Sequence, residues 1–462
     1  MIRTRHSQPS LWTGVLAEEA EQLWEPWMRT ADQLLDDEEL VERVFEAQAK
    51  RFLKSRTRGR KQTSAEVLLR LLILKHVRDW SYEVLEREVR ANLVYRSFTR
   101  VGAEKVPDAK TLGRLGQVIG PEVIADLHRR MVAIAVEKKL IMGRRIRVDT
   151  TVVETNIHYP TDSSLLGDGA RVLTRVMKKV TQAAGGLTVQ VRDRMRTVRK
   201  KVLAIALAAR QKGAAGEEKR RVIYKELLGV TGKIVRQARR VMAEMDAMSR
   251  KRKKQMAGLR TQLATMAERT QQVVRQTKAR VFGGDTKFEE KLVSVFEPQT
   301  EIIRKGKASK PTEFGKLVKI QEAENQIVTH FEVYDERPTD SSLLVEAVEI
   351  HKDQTGVIPR IVAADAGFYS QANEKLLEEM GVKNISVPNR NTRSEQRRRH
   401  QKKRSFKEGQ RWRTGCEGRI SVLKRRHGLD RSLYRGLDGM KRWVGLGVIA
   451  DNVINIGLRL AW

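Results

Sequence analysis

The spacing of apolar and polar positions changes character several times along the chain. Up to about residue 145 it is helical. The run Val67-Leu68-Leu69-Arg70-Leu71-Leu72-Ile73-Leu74 follows Thr63-x-x-Glu66, a capping-box pattern, and Asp108 stands where it can cap a helix carrying Leu112 and Leu115. Pro121 suits the first turn of another helix. Turns at Arg78-Asp79-Trp80-Ser81 and Gly102–Pro107 separate short helices, as in a helix-turn-helix-like bundle. At Arg145–Val153 the pattern becomes β-branched alternation, which predicts a strand with Asp149 and Thr151 on one face and Glu154 on the other.

From about Leu165 to Ala279 the helical signal returns, broken at Gly185-Gly186 and Gly213–Gly216. Strand-like runs resume at Thr300–Ile303, Leu317–Ile320, Ile327–Val333, Arg360–Ala364 and Asn384–Val387, with helices predicted at Ser341–Asp353 and Gln371–Met380. Strands alternating with helices predict a mixed α/β sheet covered on both faces. An apolar run, Val444–Leu460, reads as a closing helix. The heptapeptide Pro160–Leu166 recurs as Pro338–Leu344, each copy at a strand-to-helix transition, where Thr or Asp serves as a helix cap.

Composition narrows the partners. The 462 residues suffice for roughly three domains at about 100–200 residues each. The net charge is +34, from 91 Lys and Arg against 57 Asp and Glu, a surplus that repels itself unless a polyanion offsets it. The surplus is clustered. Arg171–Glu290 holds 31 basic against 10 acidic residues, and Asn389–His427 holds 15 against 3. Nucleic acid is the first partner to expect, and the loop 51–61, with Arg51, Lys54, Arg56, Arg58, Arg60 and Lys61, is a candidate phosphate grip. A single cysteine, Cys416, and no Cys/His cluster argue against disulfides and zinc and for a reducing, cytoplasmic setting. Met1–Trp27 is acidic and interrupted by Pro9 and Pro26, unlike a secretion signal, and no consecutive apolar run of about 18–20 residues predicts a membrane span.

Three carboxylates are out of place locally. Asp149 lies inside an apolar strand, Asp365 follows Ile361-Val362-Ala363-Ala364, and Glu417 lies on a helix within a basic region. Buried carboxylates are normally paired, hydrogen-bonded or bound to metal. At about 100° per residue, Gln410, Arg413, Glu417 and Lys424 share one helix stripe, beside an apolar face of Trp412, Cys416, Ile420 and Leu423. An exposed ion-pair row would give the same stripe. Three carboxylates without His or Cys make an all-oxygen site suited to Mg²⁺ or Mn²⁺, capable of two-metal phosphoryl transfer on DNA, with Arg413 and Lys424 on the phosphate oxygens. His158, His330 and His351 are isolated and read as packing or surface residues.

The order strand-Asp149, strand-Asp365, helix-Glu417 resembles the DDE transposases of bacterial insertion sequences. Gln410-x2-Arg413-x3-Glu417-x6-Lys424 is similar to the Tyr-Arg-Glu-Lys signature of one large group of them, with Gln410 in place of the tyrosine, which implies Gln410, Arg413 and Lys424 as DNA contacts. Asp149-Thr-Thr-Val and Ala364-Asp365-Ala-Gly-Phe-Tyr369 look like the surroundings of their first two aspartates. The resemblance implies an all-α DNA-binding region over 1–144 and a ribonuclease H-like catalytic domain over 145–462, interrupted by a basic helical insertion over 165–290. It also implies binding of terminal inverted repeats, Mg²⁺-dependent cleavage and strand transfer into target DNA, and a homodimer on paired ends in a nucleoid-associated, cytoplasmic protein. A metal-dependent nuclease, or a catalytically silent DNA-binding regulator derived from a transposase, shares the same residues.

Overall fold

The computed structural model describes residues 1–5, 18–51, 56, 62–304 and 311–460. Two compact units emerge: 1–156 together with 305–462, and 157–304.

In the first unit, helices α1 (Pro26–Leu34), α2 (Glu38–Arg51), α3 (Ala65–Val77), α4 (Tyr82–Ala91), α5 (Leu93–Phe98), α6 (Ala109–Val118) and α7 (Pro121–Glu137) precede the sheet. Ser64, one residue after the expected Thr63, caps α3 by accepting from the Val67 amide. Thr63 is therefore outside the cap. Asp108 caps α6, and Pro121 opens α7. The core of these helices includes Leu68, Leu72, Phe98 and Leu127, and it is closed by Leu446, Ile449 and Val453 of the last helix, α16 (Gly436–Leu460).

The sheet begins with β1 (Arg145–Thr155). β2 (Glu313–Glu322) lies antiparallel to β1, and β3 (Val328–Val333) antiparallel to β2. After α12 (Leu344–Thr355), β4 (Ile361–Ala363) lies parallel to β1, and after α13 (Gln371–Glu379), β5 (Asn384–Ser386) lies parallel to β4. The order β3-β2-β1-β4-β5 and these directions fit a ribonuclease H-like arrangement. α14 (Glu395–Lys402) and α15 (Arg404–Arg426) follow. A short strand β6 (Arg431–Ser432) then pairs with the far end of β1.

Alternation along β1 gives it two faces. Ile146 and Val148 pack with Leu344, Val348, Val362, Phe368 and Leu377, so α12 and α13 cover that side. Val153, Val318 and Ile320 pack with Leu423, Met440 and Val444 of α15 and α16. α16 is long and apolar enough to cross a membrane, but most of it is buried in this unit, and Asn452 at its centre clasps β3 through the Val328 amide and carbonyl.

The same carbonyl is 2.9 Å from Nε2 of His128, and burial pushes that imidazole down to about 4. Between pH 6.5 and 4 the unfolded chain therefore binds a proton that the folded chain refuses, so stability falls as pH drops across that window. The contribution is about 3 kcal/mol. Urea midpoints at pH 7 and pH 4.5 are expected to differ less in His128→Gln than in the parent chain; an unchanged difference would remove His128 as a source of acid lability.

In the second unit, α8 (Asp162–Ala183), α9 (Met195–Ala208), α10 (Ala214–Asp246) and α11 (Arg250–Gly283) build a bundle around Leu166, Leu173, Leu227, Ile234, Leu263 and Val273. Gly185, Gly186 and Gly213 take positive φ at the breaks read from the sequence. Thr161 caps α8 through a reciprocal box with Ser164.

Candidate active site

Three parts of the first unit carry the acids: β1 holds Asp149, the turn after β4 holds Asp365, and α15 holds Glu417. Arg145, Ile146 and Arg147 pair with Ile361, Val362 and Ala363. The pairing ends there, two residues before Asp149 on one chain segment and two before Asp365, whose backbone is still extended, on the other. Asp149 falls on the face covered by α15, as do Arg145 and Arg147, whose guanidinium groups lie 5.0 and 4.8 Å from the Trp412 ring.

α15 is held there by contacts that leave little freedom of register. A Cβ on Gly409 would lie 2.6 Å from that of Ser386, so only glycine lets the helix approach β5 this closely. Gln410 Nε2 donates to the carbonyls of Ala364, at 3.2 Å, and Ser386. Lys424 Nζ donates to the Val152 carbonyl at 2.8 Å. Two signature positions read from the sequence as DNA contacts thus tie α15 to the strands that carry Asp149 and Asp365.

Arg413 lies between two of the acids. Nη2 is 2.9 Å from Glu417 Oε1 and Nη1 is 3.9 Å from Asp149 Oδ2, while Nε is buried without a hydrogen-bond partner among the described residues. Asp149 Oδ1 accepts from the Thr150 amide, and Asp365 Oδ1 accepts from the Gly367 amide at 2.9 Å, opening a single helical turn. Glu417 is the most exposed of the three acids relative to its partners, with just over half of its side chain open to solvent. Burial pushes the neighbouring Cys416 thiol well up, with Glu322 and Asp149 adding to it, which suits an apolar filler and not a nucleophile.

A fourth carboxylate, Asp340, was not among the acids read from the sequence. In the second copy of the heptapeptide Thr339 makes no side-chain cap, and Asp340 instead accepts from Thr150 Oγ1 at 3.1 Å. Asp340 Oδ2 and Asp365 Oδ1 each lie 3.1 Å from the point a Cβ on Gly367 would occupy, so the two carboxylates flank one small space. The repeat itself was the available signal: it places an aspartate at the exit of a second strand.

Among the described residues no three His, Cys, Asp or Glu side chains converge closely enough to hold a metal ion. The donor set nonetheless suits a hard divalent cation: Asp149, Asp365 and Glu417 offer only carboxylate oxygens, and Arg413 lies between Asp149 and Glu417. Of the loop cations, Arg56 is exposed and paired with Glu46 at 2.5 Å, and Arg58, Arg60 and Lys61 lie outside the described residues. His351 is buried against the Gly143 carbonyl, and His158 pairs with Asp168.

Residues 24–117 match a family model described as a transposase domain (DUF772), and residues 379–456 match one described as a transposase DDE domain. Both matches are to transposases. The transposase DDE match spans all of α15, with Arg413 and Glu417, while Asp149, Asp340 and Asp365 lie before it. The DUF772 match spans α1 to α6 apart from the last residue of α6. No curated protein and no solved structure matches the chain.

Proposed function

We propose that the protein is an insertion-sequence transposase that binds the terminal inverted repeats of its element and catalyses Mg²⁺-dependent DNA cleavage and strand transfer. The observation that carries this reading is the helix inside the transposase DDE match, whose Arg413 lies 2.9 Å from Glu417 and 3.9 Å from Asp149, with Asp365 two residues past the end of the parallel strand β4. Asp149, Asp365 and Glu417 would hold the metal, with Asp340 beside Asp365. When bound, Mg²⁺ or Mn²⁺ supplies Lewis-acid stabilisation of the reacting phosphodiester.

The chain's own groups do the rest. Arg413, held between Glu417 and Asp149, carries a guanidinium fork suited to a phosphate, so it orients the scissile strand. Gln410 and Lys424 keep α15 in register, which fixes the separation of Glu417 from the strand acids. The helical region 1–144 grips the element ends, and two copies of the chain act together on paired ends in the cytoplasm. The arrangement relative to the Tyr-Arg-Glu-Lys group is preserved at Arg413, Glu417 and Lys424, with Gln410 serving as a strut.

The test is a marked DNA segment bounded by the inverted repeats that flank the gene, incubated with the purified chain, Mg²⁺ and a target plasmid. Excision with joining of 3′ ends is expected. Nicking without joining at any target would favour a nuclease, and specific binding without cleavage would favour a regulator.

A further inference from the structure

The second unit contains a surface that the acids do not explain. Between α8 and the start of α9 lies a cavity of about 660 Å³ lined by Arg171, Arg175, Lys178, Lys179, Arg196 and Arg199, with Asp193 as its one carboxylate. Arg171, Arg175, Lys178 and Lys179 recur at three- and four-residue spacing along α8, Arg196 and Arg199 stand three apart on α9, and all six are exposed. Lys178 is paired with Asp193 at 2.6 Å, and Arg171 with Asp168 at 2.7 Å. Arg175, Lys179 and Arg196 have no salt-bridge partner among the described residues.

A second feature points the same way. α11 opens on Arg250, Lys251, Arg252, Lys253 and Lys254, all exposed, with no acidic residue in its first turn. Cations at a helix N-terminus oppose the helix dipole and are unfavourable unless an anion is near. The Glu244 carboxylate accepts from the Thr188 and Val189 amides, at 2.6 and 2.9 Å, which holds the α10–α11 end against the loop that leads into the cavity. The two basic clusters therefore belong to one end of this bundle.

We propose that this groove docks the sugar-phosphate backbone of duplex DNA without reading its bases. Among the described residues no aromatic side chain lines it; the exposed Phe296 stands at its edge, 5.6 Å from the Arg171 guanidinium, and one ring is no platform for stacking successive bases, which separates the groove from a single-strand or RNA platform. Point charges on long stems suit phosphates along a duplex. The choice of DNA as the polyanion rests on the transposase reading; the groove's affinity for a polyanion does not.

The experiment uses the full chain and a random-sequence 30-base-pair duplex, with affinity followed by fluorescence anisotropy over a salt series. The triple variant Arg175→Gln, Lys179→Gln, Arg196→Gln removes three exposed charges, and a thermal melt checks that it folds as the parent does. Each phosphate contact contributes about 0.9 to the slope of log affinity against log salt, so the slope is expected to fall by about 2 to 3 and affinity at low salt by about tenfold or more. A control triple, Arg210→Gln, Lys212→Gln, Lys219→Gln, removes equal charge from exposed positions away from the groove and is expected to bind as the parent does. A parental slope in the groove triple, or an equal fall in both triples, overturns the proposal. So does a loss confined to single-stranded RNA of the same length. Docking that depends on the groove in a chain that never cleaves would sustain this inference while removing the transposase reading, and cleavage with a parental slope in the groove triple would do the reverse.

Discussion

Asp149→Asn is expected to lower metal-dependent strand cleavage by about a thousandfold or more while leaving duplex affinity within about twofold of the parent. The substitution keeps the side chain's size and its ability to accept from the Thr150 amide, so β1 and the register with β4 are undisturbed. It removes one of the two negative charges on Arg413 and one oxygen donor of the proposed site. Metal-assisted charge stabilisation is worth several kcal/mol, and each 1.36 kcal/mol is about tenfold in rate. DNA affinity is governed by phosphate contacts elsewhere and is expected to rise slightly, since a carboxylate near the scissile phosphate is gone. Cleavage of a pre-bound element end in a single-turnover assay is the measurement, and a rate within tenfold of the parent would take Asp149 out of the site.

The largest expected effect on stability comes from Arg147→Met. Arg147 Nε donates to Glu322 Oε2 at 2.9 Å across the β1–β2 ladder, a second bond runs to Oε1, and Nη1 reaches the Trp412 carbonyl. Both side chains are almost wholly buried. Removing the cation leaves Glu322 in an apolar layer with no compensating charge nearby except that of Arg419, and breaking such a pair costs about 3–5 kcal/mol. Burial already pushes the Glu322 carboxyl up despite the opposing pull of Arg147. Without Arg147 it takes up a proton on folding, so the variant is expected to lose stability as pH rises above the unfolded carboxyl value, a slope the parent shows only weakly. Denaturant midpoints at pH 5 and pH 8 test this. The double variant Arg147→Met, Glu322→Met is expected to recover most of the loss, because neither charge is then stranded.

Most of the elements were legible because their periodicity is strong. The alternation at 145–153 runs on to Thr155, the helical stretch divides at the two glycine breaks and once more at Ala247–Ser249, where no glycine marks it, and Asp108 and Pro121 sit where capping chemistry puts them. Asp149, Asp365 and Glu417 stood out because each is locally anomalous; in the structure Arg413 lies between Asp149 and Glu417, and Asp365 lies beside Asp340. Pairings between distant residues were not legible. Asp340 looked like a cap, since its first-copy counterpart, Asp162, follows a capping threonine, and only the fold aims Asp340 at Thr150. Gln410 and Lys424 were read from their stripe as pointing to substrate; their long side chains bend back to strand carbonyls, a choice set by how closely Gly409 lets the helix sit. The Arg147–Glu322 and Arg419–Asp451 pairs likewise join residues that are ordinary in their own segments.

β1 and β2 are ladder neighbours, with Glu154 opposite Gly315, yet the whole of 157–304 is threaded between them. In the unfolded chain that pairing must close a loop of roughly 160 residues, and closure entropy grows as about (3/2)RT ln n. A bundle of mostly local helix contacts forms quickly by comparison. Once folded, it replaces a long flexible tether with a compact one. The sheet that carries the acids therefore has every reason to assemble after its own insertion. Refolding followed by pulsed hydrogen exchange would show α8 to α11 protected before β1 and β2.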